Sequence, residues 1–118
     1  MKRDWEVIRK ILLELQDMSR AEISDLQYRL DNYDEDRETL HVFMLYDAGF
    51  LQGIDTGGLA GRGLMSPTLT WEGHELLAKM ESKPVWDHVK AKAAEQGVVM
   101  SFDVVMLLAK QAINQIFS

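Results

Sequence analysis

The feature that most limits how this chain can fold is a glycine-rich segment between two apolar runs. Five of the eight glycines lie within residues 53–63, which read GIDTGGLAGRG. The flanking residues 50–54 and 64–70 have the composition of strands, and glycine between such runs favours a hairpin. A helix ending in AGF precedes the first strand. The segment predicts a helix followed by a β-hairpin with a flexible tip, and places Pro67 at an edge or strand start because proline cannot donate to a ladder.

Local patterns predict three further elements in the N-terminal part. Asp4 is a candidate N-cap for a first helix, in which apolar residues recur at three- and four-residue steps. Those residues are Trp5, Ile8, Ile11, Leu12 and Leu15. Ser19 and Glu22 have the spacing of a capping box, which predicts a short helical turn beginning there. Alternating apolar and polar residues from Leu26 to Leu30 predict a short strand.

Helix caps also mark the later elements. Asp34 is the predicted N-cap of a second long helix, which ends at Gly49. Near the C-terminus, Pro84 lies in the predicted first turn of a helix that stops at Gly97, and Ser101 caps the last helix.

The composition is that of an ordinary globular protein. The chain has 118 residues, of which 47% are hydrophobic, enough for one domain or one domain with a helical extension. The absence of cysteine excludes disulfides and thiolate metal sites. No apolar run approaches the roughly 20 residues that span a bilayer, and the charged start MKRDWEVIRK is unlike a signal peptide. We therefore expect a cytoplasmic protein without a membrane segment.

The negative charge is concentrated in one third of the chain. The net charge is −6, yet the segment from Glu14 to Asp47 alone has ten acidic and three basic residues, a balance of −7. This acidic segment would repel the phosphates of a nucleic-acid partner, so any nucleic-acid-binding function has to account for it.

Three stretches, MKRDWEVIRKILLEL, LHVFMLYDAGFLQG and LTWEGHELL, resemble a family of small uncharacterised proteins. The family is often encoded in phages and prophages and is known only as a domain of unknown function. Its members look like winged-helix proteins. The resemblance implies an α+β, winged-helix-like domain over residues 1–81, made of helices and a small β-hairpin wing. The resemblance implies no activity. We predict that residues 82–118 are a C-terminal helical extension, packed on that domain or mediating association.

The stretch LTWEGHELL is a candidate for chemistry because Glu72, His74 and Glu75 are potential metal ligands or acid–base groups. A zincin helix needs two histidines four residues apart, and no second histidine follows at that spacing. The alternative is a structural joint, in which Thr70 caps a helix, Glu72 faces its positive end and Gly73 allows close backbone packing. The residues expected to reach the core are Trp71, Leu76 and Leu77. We favour the joint.

The glycine-rich tip does not match a nucleotide-binding loop. It lacks the Gly-Lys-Ser/Thr ending and the following helix of a P-loop, and Ser66 stands where the last glycine of a dinucleotide fingerprint would fall. Arg62 is a candidate wing contact to DNA phosphates or a minor groove, with a solvated loop arginine as the alternative. We predict no catalytic, metal-binding or cofactor-binding site, and no cofactor.

Major-groove docking by the second long helix is disfavoured by its charge. The start of a recognition helix normally enters the groove. Here it has four carboxylates, Asp34, Glu35, Asp36 and Glu38, which the phosphate lattice repels. These residues are a candidate acidic interaction surface, or simply a solvated helix start that the helix dipole favours.

The last helix is apolar over a broad arc, so it is either central to the core or covered on one side by a second copy or a partner. The candidate association surface comprises Val104, Leu107, Leu108, Ile113, Ile116 and Phe117. Elsewhere, His41 is predicted to be a hydrogen-bonded packing histidine and His88 to lie on an exposed face.

Together these patterns predict a non-catalytic protein-interaction or regulatory adaptor, in a phage setting a modulator of a host system. Its partner is expected to be another protein or itself, in a homo-oligomer. A variant is an acidic surface that mimics nucleic acid and blocks a DNA-binding protein. The alternative function is a winged-helix DNA-binding transcriptional regulator, whereas no constellation of residues indicates an enzyme.

Overall fold

The computed structural model describes residues 2–117, and their side chains as far as residue 115. These residues form six helices and three strands. The helices are α1 (Trp5–Asp17), α2 (Arg20–Asp25), α3 (Arg37–Asp47), α4 (Trp71–Glu81), α5 (Lys83–Gln96) and α6 (Phe102–Phe117). The strands are β1 (Gln27–Asp31), β2 (Leu51–Asp55) and β3 (Gly61–Leu69). The predicted α+β class is confirmed.

The chain divides into two compact units, and the boundary between them lies between His74 and Glu75, inside α4. The first unit contains α1, α2, α3 and the sheet. The second contains α5 and α6. No helix within residues 2–117 is long and apolar enough to cross a membrane.

The first helix forms as its caps and periodicity predict. The carboxylate of Asp4 accepts hydrogen bonds from the backbone N–H groups of Glu6 and Val7, at 2.9 and 3.3 Å. The predicted apolar residues of α1 are all buried. The capping box of Ser19 and Glu22 is present at the start of α2. Side chains of α1, α3 and the sheet form the core of the first unit, which includes Ile8, Ile11, Leu12, Val42, Phe43, Leu45, Leu51 and Leu64.

The three strands form an antiparallel sheet in the order β1-β3-β2, so the last strand of the chain is central. β1 pairs with residues 61–65 of β3, and β2 pairs with residues 64–69. The hairpin β2–β3 follows α3 directly, which confirms the predicted helix–hairpin unit.

The second hairpin strand begins at Gly61, three residues before its predicted start. Gly61 and Gly63 pair with β1 rather than forming part of a flexible tip. A Cβ atom at Gly61 would overlap the backbone of Leu30. Glycine is therefore needed here for close strand approach, and the tip shrinks to residues 56–60.

Pro67 lies inside β3 rather than at a strand start. It also lies beyond residues 61–65, which pair with β1, so β2 is the strand that pairs with this part of β3 and Pro67 has the predicted edge environment on the β1 side. The register of the β2–β3 pair shifts between Gln52 and Ile54, so that Ser66 and Pro67 together face Gly53. Ser66 has a left-handed backbone with φ of 54°. Proline has no N–H group to donate to a neighbouring strand. Within a bulge no partner residue requires that hydrogen bond, so Pro67 is tolerated inside β3.

The helix α3 begins two residues later than predicted, because Asp36 rather than Asp34 is its N-cap. The carboxylate of Asp36 accepts hydrogen bonds from the backbone N–H and the hydroxyl of Thr39, at 2.9 and 2.6 Å. Asp34 instead accepts a hydrogen bond from the backbone N–H of Asp36, at 2.9 Å, in the loop before the helix. The other end agrees with the prediction, because Gly49 follows α3 with φ of 86°.

In the second unit, α5 and α6 pack against each other. Ser82 caps α5, Pro84 lies in its first turn, and Gly97 ends it with a left-handed φ of 67°. Ser101 caps α6 by accepting a hydrogen bond from Val104 N–H, at 3.2 Å. These features confirm the predicted helix boundaries. The buried side chains are Val85, Trp86, Val89 and Ala93 of α5 and Val105, Leu108, Ala109 and Ala112 of α6.

Candidate interaction surface

The stretch LTWEGHELL joins β3 to α4 through Thr70. The hydroxyl of Thr70 accepts a hydrogen bond from Gly73 N–H at 3.1 Å, and donates one to the carbonyl oxygen of Gly49 at 2.6 Å. Its own N–H donates to the carbonyl oxygen of Phe50 at 3.1 Å. One residue thus caps α4 and also ties it to the end of α3. The predicted cap at Thr70 is confirmed.

Gly73 allows the close packing expected of it. A Cβ atom at this position would overlap the carbonyl oxygen of Phe50, so only glycine fits without a backbone shift. The expectation for Trp71 is wrong, because 76% of its surface is exposed. The buried face of α4 contains Leu76 and Leu77, and residues are spaced by 100° around a helix. Trp71 lies opposite that face.

The polar residues of this joint are not gathered into a reactive site. His74 is exposed and lies beside a shallow groove of about 260 Å³ that is also lined by Leu15, Met18, Ile23 and Leu69. Among residues 2–117, no group of three or more histidine, aspartate or glutamate side chains is placed to hold a metal ion.

His41 is a fully buried packing histidine, as predicted. Its Nε2 accepts a hydrogen bond from the backbone N–H of Asp4 at 2.8 Å, and its Nδ1 lies 2.7 Å from the carbonyl oxygen of Arg37. The first contact requires a bare Nε2 and the second a proton on Nδ1, which fixes the neutral tautomer. This ring ties the start of α1 to α3, and both of its nitrogens are engaged.

Arg62 is held inside the first unit by α3. It lies on β3 and donates two hydrogen bonds to the carboxylate of Asp47, both at 2.8 Å. Its guanidinium also stacks 4.7 Å above the ring of Phe43. The hydrogen bonds from Arg62 lower the pKa of Asp47, and the pairing raises the pKa of Arg62. The candidate wing contact is therefore neutralised by its neighbour and sits away from residues 56–60.

The four candidate acids before and within α3 have different surroundings. Glu38 is half-buried and pairs with Lys10 at 3.5 Å. Asp36 is exposed, and its hydrogen bonds from the hydroxyl and backbone N–H of Thr39 lower its pKa. Asp34 and Glu35 are exposed and have no ion-pair partner among the residues the structure describes. The nearby Arg37 does not offset them, because it pairs with Asp4.

An exposed apolar pair beside these acids was missed by the sequence interpretation. Tyr33 and Leu59 are fully exposed, at 98% and 102% of their reference areas. The two loops that present them are joined by Asn32, whose N–H donates to the carbonyl oxygen of Ala60 at 3.2 Å. The Asn32 side-chain amide donates to the carbonyl oxygen of Leu59 at 3.0 Å. We call residues 31–34 together with residues 59–60 the tip surface.

The signal that could have found the tip surface is an isolated large apolar residue inside a turn. Tyr33 stands in the polar run DNYDED, and Leu59 stands among glycines in TGGLAG. Neither belongs to an apolar periodicity that would bury it. The two loops that contain them are joined by the long-range hydrogen bonds of Asn32.

The candidate association surface on α6 has mixed exposure. Leu107 is 56% exposed, Val104 and Ile113 are half-buried, and Leu108 is buried. The side chains of Ile116 and Phe117 lie outside the described part of the chain.

The fold defines a small α+β protein in which three helices, a hairpin and a third strand form one unit and a helical pair lies in another. The chain belongs to the family DUF2513, described as hypothetical proteins, whose model matches residues 2–99. This confirms the predicted membership of a family of unknown function. A protein of Haemophilus influenzae described as uncharacterized is 34% identical over 118 residues, which is 100% of each chain. No solved structure matches the chain.

Proposed function

We propose that this protein is a non-catalytic protein-interaction module, a regulatory adaptor that binds a partner through the tip surface. The observation that carries the proposal is the exposure of Tyr33 and Leu59 on a hydrogen-bonded scaffold. In the phage setting that the family resemblance implied, the partner is a host protein.

By exposing Tyr33 and Leu59, an isolated chain loses the stabilisation that burial of these two side chains would contribute. Burying one large apolar side chain contributes about 1.5–3 kcal/mol, and here two such side chains remain in water. Tyrosine is also enriched in the buried centres of protein interfaces, where its ring packs and its hydroxyl bonds. Asn32 fixes the loops beforehand, so that a partner pays less ordering entropy on binding.

A photo-crosslinking experiment in the native host tests the proposal. p-Benzoylphenylalanine is placed at position 59 and, as a matched control, at position 99, since Val99 is also exposed at 84% but lies in the second unit. We expect a discrete adduct with one identified protein from position 59 alone, lost when Tyr33→Ser is added. Adducts of equal yield from both positions, or none from position 59, would contradict the proposal.

A second candidate function, DNA-binding regulation, is favoured by one observation. The order α1, α2, β1, α3, β2, β3 with β3 central has a hairpin directly after a helix, as in winged-helix proteins. Against it, the hairpin arginine is paired with Asp47 and the start of α3 is acidic. A fluorescence-anisotropy titration with duplex DNA decides the matter, because a DNA binder loses affinity steeply as salt rises. Absence of binding at low salt removes this candidate.

Self-association through α6 is supported by Leu107, an apolar side chain that is 56% exposed on this helix. Light scattering should then report a dimer or larger species that Leu107→Ser returns toward the monomer. A monomer at high protein concentration would refute this interface.

A further inference from the structure

The tip surface contains a groove between its two loops. The groove has a volume of about 430 Å³ and is lined by Asp31, Asn32, Tyr33, Asp34 and Ala60. The N–H of Asp34 donates to the carbonyl oxygen of Asp31 at 3.0 Å, so these two residues are the ends of a turn with Asn32 and Tyr33 between them. Two aspartates, an exposed tyrosine and an alanine thus line one open, shallow surface.

We infer that this groove recognises an arginine side chain of a basic, extended segment in a partner protein. The inference rests on the proposed function and names the partner's chemistry. The carboxylates of Asp31 and Asp34 accept the guanidinium N–H groups, the ring of Tyr33 stacks on the guanidinium plane, and Leu59 covers apolar residues beside the arginine.

Charge complementarity selects this partner over others. Asp31, Asp34 and Glu35 have no ion-pair partner among the described residues, and the nearby cations Arg37 and Lys10 pair with other carboxylates. Lys2 lies beside Asp34 and Glu35, and this single cation offsets one of the three acidic charges. The surface is therefore left with net negative charge, which repels a phosphate backbone and attracts a cationic peptide.

The same chain already contains an arginine held in this way. Arg62 lies between the carboxylate of Asp47, which accepts two hydrogen bonds at 2.8 Å, and the ring of Phe43, 4.7 Å away. An acidic group and an aromatic face thus hold one arginine side chain in this fold, together with the β3 backbone that positions it. The tip surface offers the same two kinds of group, and its carboxylates have no ion-pair partner among the described residues.

The test uses the full chain and a defined probe. The probe is a fluorescein-labelled peptide of repeated Arg-Leu-Ser units, and its matched control has citrulline, which is neutral and nearly isosteric, in place of each arginine. Anisotropy gives the affinity at several salt concentrations, and amide chemical shifts of the ¹⁵N-labelled protein locate the contact. We expect the arginine peptide alone to bind, with shifts in residues 31–35 and 56–60.

Substitutions in the tip surface then separate the contribution of the Tyr33 ring to peptide binding from that of the two carboxylates. Tyr33→Ser and the pair Asp31→Asn with Asp34→Asn should each weaken binding about tenfold, and the latter should flatten its salt dependence. The matched controls are Ile54→Ser, an exposed apolar residue on β2, and Glu72→Gln, an exposed acid on α4. Both controls should bind as the wild type does. All these side chains are exposed or half-buried, and amide dispersion in the spectra verifies folding.

Three results overturn the inference: equal binding of the arginine and citrulline peptides, shifts centred outside the tip surface, or no binding at low salt. The outcome of crosslinking from position 59 keeps the two proposals distinct. An identified adduct with a failed peptide test rejects the arginine chemistry and leaves the interaction module intact. Failure of both rejects the tip surface as an interface.

Discussion

Replacing Gly73 with alanine tests whether LTWEGHELL is a packing joint, because two effects of opposite sign compete. Helix propensity alone favours alanine over glycine by about 1 kcal/mol. Opposing it, the new Cβ atom would overlap the carbonyl oxygen of Phe50 and come within 3.3 Å of the Cβ atom of Leu69. Neither of these atoms can move by a side-chain rotation, and overpacking of this kind costs about 1–3 kcal/mol.

We expect the steric cost to exceed the gain in helix propensity, because moving Phe50 also stretches the hydrogen bond that its carbonyl oxygen accepts from Thr70. We expect Gly73→Ala to lower the free energy of unfolding by about 1–2 kcal/mol. In urea this corresponds to a midpoint lower by roughly 0.5–1 M.

Equilibrium unfolding in urea, followed by circular dichroism and by amide exchange, measures the change. The matched control is Gly58→Ala, because a Cβ atom at Gly58 meets nothing within 4 Å, and its expected change is within about 0.5 kcal/mol. If Gly73→Ala is as stable as the wild type or more so, helix propensity dominates and the close approach of α4 to Phe50 is refuted.

Three further predictions concern caps and charges in the first unit. Thr70→Val should destabilise by about 1–2 kcal/mol in urea unfolding, whereas Thr70→Ser keeps the donating and accepting hydroxyl and should cost less. A double-mutant cycle of Arg62→Gln and Asp47→Asn should give a coupling of about 0.5–1 kcal/mol, modest because both side chains are partly exposed, and a coupling of zero would contradict the paired geometry. Hydrogen bonds from Thr39 lower the pKa of Asp36, so its contribution is complete above the unfolded pKa of about 3.9 and is lost as the pH falls through the lower folded value. Urea midpoints from pH 6 to pH 3 should therefore fall more for the wild type than for Asp36→Asn, which caps without titrating, and parallel curves would refute the assignment.

The features that sequence predicts well are those set by contacts between residues close in the chain. Ser19 with Glu22, Thr70 with Gly73 and Ser101 with Val104 are each separated by three residues, and all three caps are present. Such contacts depend on the local backbone alone. The same holds for the left-handed glycines that end α3 and α5.

Errors arise where neighbouring residues compete or where helical phase outweighs hydrophobicity. Asp34 and Asp36 are both able to cap a helix, and the one whose carboxylate meets Thr39 prevails. The size and apolar character of Trp71 predict a core position. The buried face of α4 is set by Leu76 and Leu77, however, and the 100° spacing of residues around the helix puts Trp71 on the opposite side. Both errors follow from counting residue types without fixing the exact start of the helix.

Register is the part of the fold that local patterns cannot supply. The bulge that accommodates Pro67 exists because β2 pairs with β3 in a register that shifts around Gly53. The pairing of β1 with residues 61–65 likewise turns apparent tip glycines into strand residues. The tip surface has the same origin, since Asn32 reaches Leu59 across 27 positions of sequence.

The pairing of Arg62 connects the stability of the first unit to its choice of partner. A DNA-binding hairpin needs its cation directed outward, toward phosphates. Here the bidentate contact with Asp47 and the ring of Phe43 fix that cation against α3, where it links hairpin to helix. Breaking this contact to reach DNA would give up both the pair and the stacking, while the acids of the tip surface would still repel the duplex. The interaction that helps to hold the hairpin in place therefore also leaves the first unit with a negative surface, and this favours a cationic protein over a nucleic acid.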